Sequence, residues 1–363
     1  MPEHKDLDQS WGGSSTEAPR VAIVITARNR ASELLVTLRK LKTQVYRNFT
    51  VIVVDDASEE TLEGIVRSEW PQAVFIRNEV RQGLIANRSK AMKMADGEFI
   101  VSLDDDSCFT DPGDLEKAVA RMLSEPQLGI VTFLVCQGTD LIPERETGVE
   151  ERYVASFVGC AHMLRSSVVA QLGGYRDFYF YYAEESEYSL RVWDAGWRIL
   201  FFPEVLVHHR ISPIGRRDSA ILRYSIRNNL WTTILHMPLP RVVLQVAWRL
   251  ISYSFESLRL LRPGVFLAAL GSVIWGLPTV LALRRPISAD TLRILDVIAT
   301  RAVRSGGELS SAPTPPLTTI VKDFYFRWKD RPRARSFWDR KPGDVGRTPT
   351  TVFKHNLLDR DSK

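Results

Sequence analysis

An α/β fold built on a mostly parallel sheet is what the sequence predicts, and three observations carry that expectation. Short apolar runs of strand length, VAIVIT (21–26), TVIVV (50–54) and FIVSL (99–103), alternate with helical patterns at the spacing of βα units. Two of these runs stop abruptly at carboxylates, Asp55 and Asp56 after the second and Asp104, Asp105 and Asp106 after the third. Right-handed crossovers bring the C-terminal ends of parallel strands to one edge, where open α/β sheets bind ligands, so the two acidic groups can share a pocket. Three adjacent acids repel one another, and a site that tolerates them usually contains a divalent cation such as Mg²⁺ or Mn²⁺. The plainer alternative for such a cluster in isolation is a solvated acidic turn.

Taken in order, residues 1–19 read as a flexible leader with no apolar core and no secretory signal. The strand Val21 to Thr26 runs through Ala27, Arg28 and Asn29 into a helix with Leu34, Leu35, Leu38 and Leu41 on one side. Its turn, TARNRAS, contains neither a G-x-G-x-x-G loop nor a glycine-lysine phosphate loop, which excludes two common nucleotide-binding designs. A helix over Glu60 to Ser68, a strand over Val74 to Arg77, a polar loop over Asn78 to Gly83 and a helix over Leu84 to Ala95 precede the aspartate triplet. Beyond it come a helix over Asp114 to Ser124, a strand over Gly129 to Val135 and a polar loop, Gln137 to Gly148, that could serve as a lid. Tyr153 to Val158 reads as a strand and Ser166 to Leu172 as a short helix. The aromatics of FYFYYAEE (178–185) read as core sooner than as a sugar platform.

Glu184, Glu185 and Glu187 open a helix, where the macrodipole favours acids by about 0.3–1 kcal/mol each, so their spacing alone favours capping. The strand Trp197 to Arg210 ends at His208 and His209, a pair that in isolation is more often structural than ligating. Residues 211–304 form a basic helical extension, in which Val265 to Leu283 is just long enough to cross a bilayer. Gly271, Gly276 and Pro278 make it a buried or interfacial helix before a spanning one. Residues 305–363 read as a largely extended tail with an aromatic-basic island, FYFRWKDRPRARSFW.

With 363 residues, 45% hydrophobic and 25% charged, the chain is globular and long enough for one large domain or two. Its net charge of +5 fits phosphate-bearing ligands or an anionic surface better than nucleic acid, which is not expected as a partner. Cys108, Cys136 and Cys160 have no metal-ligand spacing and imply no disulfide framework, so no role is expected of them. A cytoplasmic location follows, peripheral at the inner face of the cytoplasmic membrane where the apolar stretch flanked by arginines meets lipid.

In their order and spacing, VAIVITARNR, TVIVVDDAS, NEVRQGLIANRSKAM, FIVSLDDDS, GCAHMLRSSVVAQLGGYRDFYFYYAEESEYSLRVWDAGWRI and FFPEVLVHH resemble the family 2 glycosyltransferases with a GT-A fold, over residues 21–209. Residues 210–303 resemble the helical extension of rhamnosyltransferase-like members. The resemblance implies a GT-A domain over 20–210 and inverting transfer from a nucleotide-diphosphate sugar to a saccharide or lipid-linked acceptor, with Mn²⁺ or Mg²⁺ as cofactor. It implies that Thr26, Arg28 and Asn29 line the nucleotide pocket and that Asp55 or Asp56 accepts a hydrogen bond from the base. Arg81, Gly83 and Asn87 would close over the donor. Asp104 and Asp106 would form the D-x-D, Asp106 on the metal and Asp104 or Asp105 toward the ribose, with His208 or His209 as a further metal ligand. The family usually has Glu-Asp where this chain has Glu184-Glu185, so the general base would be Glu185, one methylene longer. A sugar nucleotidyltransferase would need more basic residues at the first turn than Arg28 and Arg30, and a non-catalytic binding module would be expected to have lost one of these groups. As a strand-end metal ligand, Asp106 is expected to contribute little to packing.

Overall fold

The computed structural model describes residues 18–138, 149–215, 217–239, 241–300, 303 and 351–353. The first half winds as βα units: β1 (Val21–Ala27), α1 (Ala31–Lys42), β2 (Phe49–Asp55), α2 (Glu63–Glu69), β3 (Val74–Arg77), α3 (Leu84–Met94) and β4 (Phe99–Asp104). Every residue of β1 is buried, as a central strand covered on both faces must be. Helix α1 buries Leu34, Leu38 and Leu41 in the core, at the spacing of one helical stripe. β1 pairs in parallel with both β2 and β4, and the register sets Asp55 beside Ala27 and Asp104 beside Thr26. The acid-bearing ends therefore lie level on one edge.

Past β4 the sheet changes direction. A short strand β5 (Ser107–Phe109) follows the aspartates, then α4 (Asp114–Ser124), β6 (Leu128–Gln137), β7 (Arg152–Tyr153), β8 (Ala161–Arg165) and α5 (Ser166–Leu172). A 3₁₀ turn at Asp177–Tyr179 leads to α6 (Glu184–Asp194) and the long strand β9 (Arg198–His209). The order is β3-β2-β1-β4-β8-β6-β9-β5, parallel from β3 to β4 and across β6 and β9, but antiparallel where β8 joins β4 and β6 and where β5 joins β9. The strand expected over 153–158 is only the two-residue β7, which pairs with β9, and the strand that enters the centre of the sheet is β8. Ala161 to Leu164 in β8 are buried on both faces and show no alternation to read.

The helical extension comprises α7 (Asp218–His236), α8 (Arg241–Arg259), α9 (Pro263–Ala282) and α10 (Ala289–Thr300). Pro238, just past α7, breaks what periodicity alone suggests is one long helix. A last strand, β10 (Thr351–Phe353), adds to β6 in antiparallel fashion. The leader through residue 17, the lid segment 139–148 and the aromatic-basic island at 324–338 lie outside the described residues.

Candidate active site

A cleft of about 160 Å³ opens at the acid-bearing edge, lined by Thr26, Arg28, Asn29, Asp56, Arg81 and Asp104 among others. The turns around it hold ordinary residues in left-handed backbone: Asn29 (φ 55°), Ala57 (54°), Tyr182 (67°), Ala183 (65°) and Ile211 (54°). Each costs on the order of 1–3 kcal/mol, and strain of this kind gathers where a site demands a shape. The buried Nε of Arg28 has no partner among the described residues.

Asp55 and Asp56 have different surroundings. Asp55 is buried, with its carboxylate 2.6 Å from Arg77 Nη1 and accepting the Ser58 N–H at 3.0 Å, so it braces the turn behind the cleft. Asp56 lines the cleft and accepts the N–H groups of Gln82 (2.7 Å) and Gly83 (3.0 Å). Asn87 donates to Gly83 O at 2.8 Å and accepts from Asn78 at 2.7 Å, which ties down the other side of loop 78–83. Gly83 has φ +92°, and a Cβ there would lie 2.7 Å from the Phe180 ring. Only glycine fits that approach. Arg81 packs over the same ring at 5.3 Å.

The three aspartates also divide. Asp104 ends β4 and pairs with Arg88 Nη2. Asp105 lies 2.9 Å from Arg30 Nη1; burial pushes its carboxyl up to about 7 against the pull of Arg30. Asp106 is fully buried: its Oδ2 accepts the Ser212 N–H at 2.8 Å and lies 3.3 Å from Arg30, and its Oδ1 is 3.2 Å from His209 Nε2. The expectation that Asp106 contributes little to packing is therefore corrected, because three elements lean on it. Strand alternation separates the histidines: His209 faces the aspartates, whereas His208 Nε2 meets Gly138 O at 2.8 Å on the other side. Asp104, Cys160 and His209 bring one ligand atom each to within 4.8 Å of one another. The Asp104 oxygen and the His209 nitrogen fit Mn²⁺, whereas Mg²⁺ would find only the oxygen a preferred donor.

Beyond Asp104, through Arg88, stand the acids of α6. Arg88, on α3 and 3% exposed, links the two sides, with Nη1 2.8 Å from Glu184 Oε1 and Nη2 on Asp104. Burial, then the neighbouring Glu185, push the Glu184 carboxyl up to about 8. Glu185 is partly exposed, and its carboxyl is also raised, burial outweighing the pull of Arg88. It packs on Gly159, where a Cβ would collide with Glu185 Oε1 and lie 2.7 Å from Arg88 Nη1. Glu187 belongs to a different assembly, 2.6 Å from Arg176, 2.9 Å from Arg191 and 2.9 Å from His236 Nε2 on α7. Burial opposes ionisation there, but His236 and Arg191 outweigh it and hold the carboxyl at about 2. The three acids of one helical turn are thus a buried ion-pair member, a partly exposed carboxylate beside Gly159 and a structural anchor.

Sequence reasoning missed Arg88, Arg30 and Cys160. Arg88 stands directly after Asn87 in a helix whose apolar pattern offers no hint that one of its cations is buried. Of the aromatic run, Tyr179 is core and Tyr181 lines the cleft.

The acid-bearing mixed sheet, its flanking helices and the helical C-terminal region define a GT-A fold. Residues 22–171 match the profile of the family described as "Glycosyl transferase family 2". An uncharacterized glycosyltransferase of Haemophilus influenzae is 28% identical over 165 residues, 42% of this chain and 55% of its own. The Escherichia coli UDP-Glc:alpha-D-GlcNAc-diphosphoundecaprenol beta-1,3-glucosyltransferase WfaP is 31% identical over 87 residues, 24% of this chain and 35% of its own. The chain thus spans about half the length of the first relative and about a third of the second. Among solved structures, GalNAc-T7 with UDP, GalNAc and Mn²⁺ superposes with a TM-score of 0.52 at 19% identity, covering 62% of this chain and 49% of that one.

Proposed function

We propose that this protein transfers a sugar from a nucleoside-diphosphate sugar to a hydroxyl acceptor, inverting the anomeric centre, in the synthesis of a cell-envelope polysaccharide or glycolipid. The observation that carries the reading is Arg88. One buried guanidinium holds both Asp104 at the end of β4 and Glu184 at the start of α6, which sets the neighbouring Glu185 on the same side of the sheet as the strand-end acids.

Thr26, Arg28 and Asn29 line the nucleotide end, where an incoming phosphate would satisfy the Arg28 Nε. Asp56 faces the cleft where Asp55 does not, which supports Asp56 as acceptor for a base N–H. Asp104 and His209 would hold Mn²⁺ or Mg²⁺, with Asp106 orienting the His209 ring, and the charge of the ion would offset that on the departing diphosphate. The Mn²⁺ and UDP of the GalNAc-T7 structure support that assignment. Glu185 takes the proton from the acceptor hydroxyl; its raised affinity for a proton brings it nearer the operating pH, as a general base requires. One base and no covalent nucleophile give inversion. The cleft is small against the 300–1,000 Å³ typical of ligand sites, so admitting a donor would require its walls to open.

A lipid-linked acceptor at a membrane surface is supported by the relative acting on a diphosphoundecaprenol and by α8 and α9. Within α9 only Ala269 and Val280 are buried, while Leu267, Ile274 and Trp275 are exposed. The arginines contribute less than their number implies: Arg241 is held by Asp296, Arg262 lies near Asp218, and Arg284 donates to carbonyls at the end of α7. Contact with lipid is therefore mainly apolar.

A screen of UDP, GDP and dTDP sugars with Mn²⁺, reading calorimetric binding and release of nucleoside diphosphate, tests the proposal. Saturable binding with metal-dependent release is expected. Binding without release under any acceptor condition would leave a non-catalytic module.

A further inference from the structure

We propose that Cys160 is a ligand of the metal, giving this site a mixed oxygen, nitrogen and sulfur donor set. The inference rests on the metal-dependent reading above and deepens it. Cys160 Sγ lies 3.6 Å from His209 Nδ1, and Asp104, Cys160 and His209 all converge within 4.8 Å. The other ring nitrogen of His209 faces Asp106 at 3.2 Å, the arrangement in which a carboxylate orients an imidazole and leaves its second nitrogen for a metal.

Cys160 is also held in place. Its carbonyl accepts the Ser107 hydroxyl at 3.1 Å, and Ser107 Oγ accepts the Asp104 N–H at 2.7 Å, so the backbone carrying the sulfur is bonded to the aspartate turn. Packing alone would be an adequate role for a buried cysteine, and the other two show it. Cys136 Sγ meets the Val207 carbonyl at 3.7 Å, and Cys108 is 3.4 Å from Arg210. Cys160 is the cysteine whose sulfur faces an imidazole and a strand-end carboxylate.

A sulfur ligand shifts preference toward softer ions, so the site should favour Co²⁺ and Cd²⁺ over Mg²⁺ to a degree that carboxylates and imidazole alone would not give. Coordination requires the thiolate, and the thiol proton passes to solvent when the metal binds.

The test is a Co²⁺ titration of the purified full chain, alone and with UDP, GDP and dTDP in turn, followed by near-ultraviolet absorbance. A sulfur-to-cobalt charge-transfer band is expected in the wild type and in Cys136→Ser, and absent in Cys160→Ser. Loss of an outer-shell partner typically costs about 10–100-fold in metal affinity, so loss of the sulfur should weaken Cd²⁺ binding at least tenfold while Mg²⁺ binding changes little. Should Cys160→Ser fail to fold, alkylation of the wild type decides: Co²⁺ should protect Cys160, read by peptide mass spectrometry. Co²⁺ binding with no band, a band that survives in Cys160→Ser, or a thiol that metal does not protect would overturn the inference and leave the metal-dependent reading standing. Failure to bind any divalent ion under all these conditions would overturn both.

Discussion

Replacing Glu185 by Gln is the most informative single change, because the structure gives its two acidic neighbours different duties. Gln keeps the volume that packs on Gly159 and leaves Asp104, Asp106 and Arg28 untouched, so donor affinity should hold within about twofold. The amide cannot accept a proton at neutral pH, and positioned general bases typically contribute about 10²–10⁴-fold. At 1.36 kcal/mol per decade that is roughly 3–5 kcal/mol of activation free energy, appearing in kcat. Glu184→Gln keeps an oxygen for Arg88 Nη1 and should cost less than about tenfold. Glu187→Gln weakens a buried assembly of two arginines and a histidine; breaking such pairs costs about 3–5 kcal/mol, so its effect belongs in Tm, with kcat of the folded fraction preserved. The assay is nucleoside-diphosphate release at saturating donor and acceptor, beside calorimetric donor binding and thermal melts. A dead Glu184→Gln or Glu187→Gln with an active Glu185→Gln would refute the assignment, and activity in all three would place the base elsewhere.

Asp106→Asn should remove metal-dependent turnover and also lower stability by about 1–3 kcal/mol, since the Ser212 N–H, Arg30 and His209 all depend on that buried carboxylate; turnover surviving in excess EDTA would refute the metal assignment. Glu184 has its folded pKa raised from 4.5 to about 8, so the stability tied to its protonated form is complete below about 4.5 and lost as pH rises toward 8. Glu184→Gln should therefore gain Tm relative to wild type as pH rises through that window, and parallel melting profiles would contradict the buried acid. Glu187, held near 2, keeps its contribution across the same window and loses it only in strong acid. Trp275→Glu should abolish sedimentation with lipid vesicles, and wild-type binding should persist in high salt because the contact is mainly apolar; salt-sensitive binding that ignores Trp275 would refute that face.

The βα half of the fold is legible because its strands are buried runs that end at acids, a pattern local enough to read from residues 21–104 alone. Beyond it the antiparallel β8 is hidden, since Ala161 to Leu164 show no alternation, and the partner on each side is distant in sequence. Site residues were readable where chemistry marks them, as with the aspartates and the acids of α6. Which of two adjacent residues faces the cleft was not, because that depends on strand alternation and on turn geometry, as with His208 against His209 and Asp55 against Asp56. Arg88 and Cys160 were illegible for another reason: a buried arginine and a cysteine beside an imidazole have no sequence marker until the third dimension brings their partners to them.

The junction near residue 210, which composition marks as a change of domain, is crossed by contacts to the loop that leads into α6. Asn228 on α7 donates to the carbonyls of Tyr179, Tyr181 and Tyr182, Tyr179 OH meets Thr232 at 2.7 Å, and His236 reaches Glu187. The loop that launches α6 in left-handed backbone is thus held from the far side of the boundary. For anyone building chimaeras, the exchangeable unit is not the sheet with a free choice of helices: a graft that keeps residues 18–210 and imports a foreign extension keeps every acid yet loses the α7 contacts that hold the 179–187 segment, and α7 must travel with the sheet.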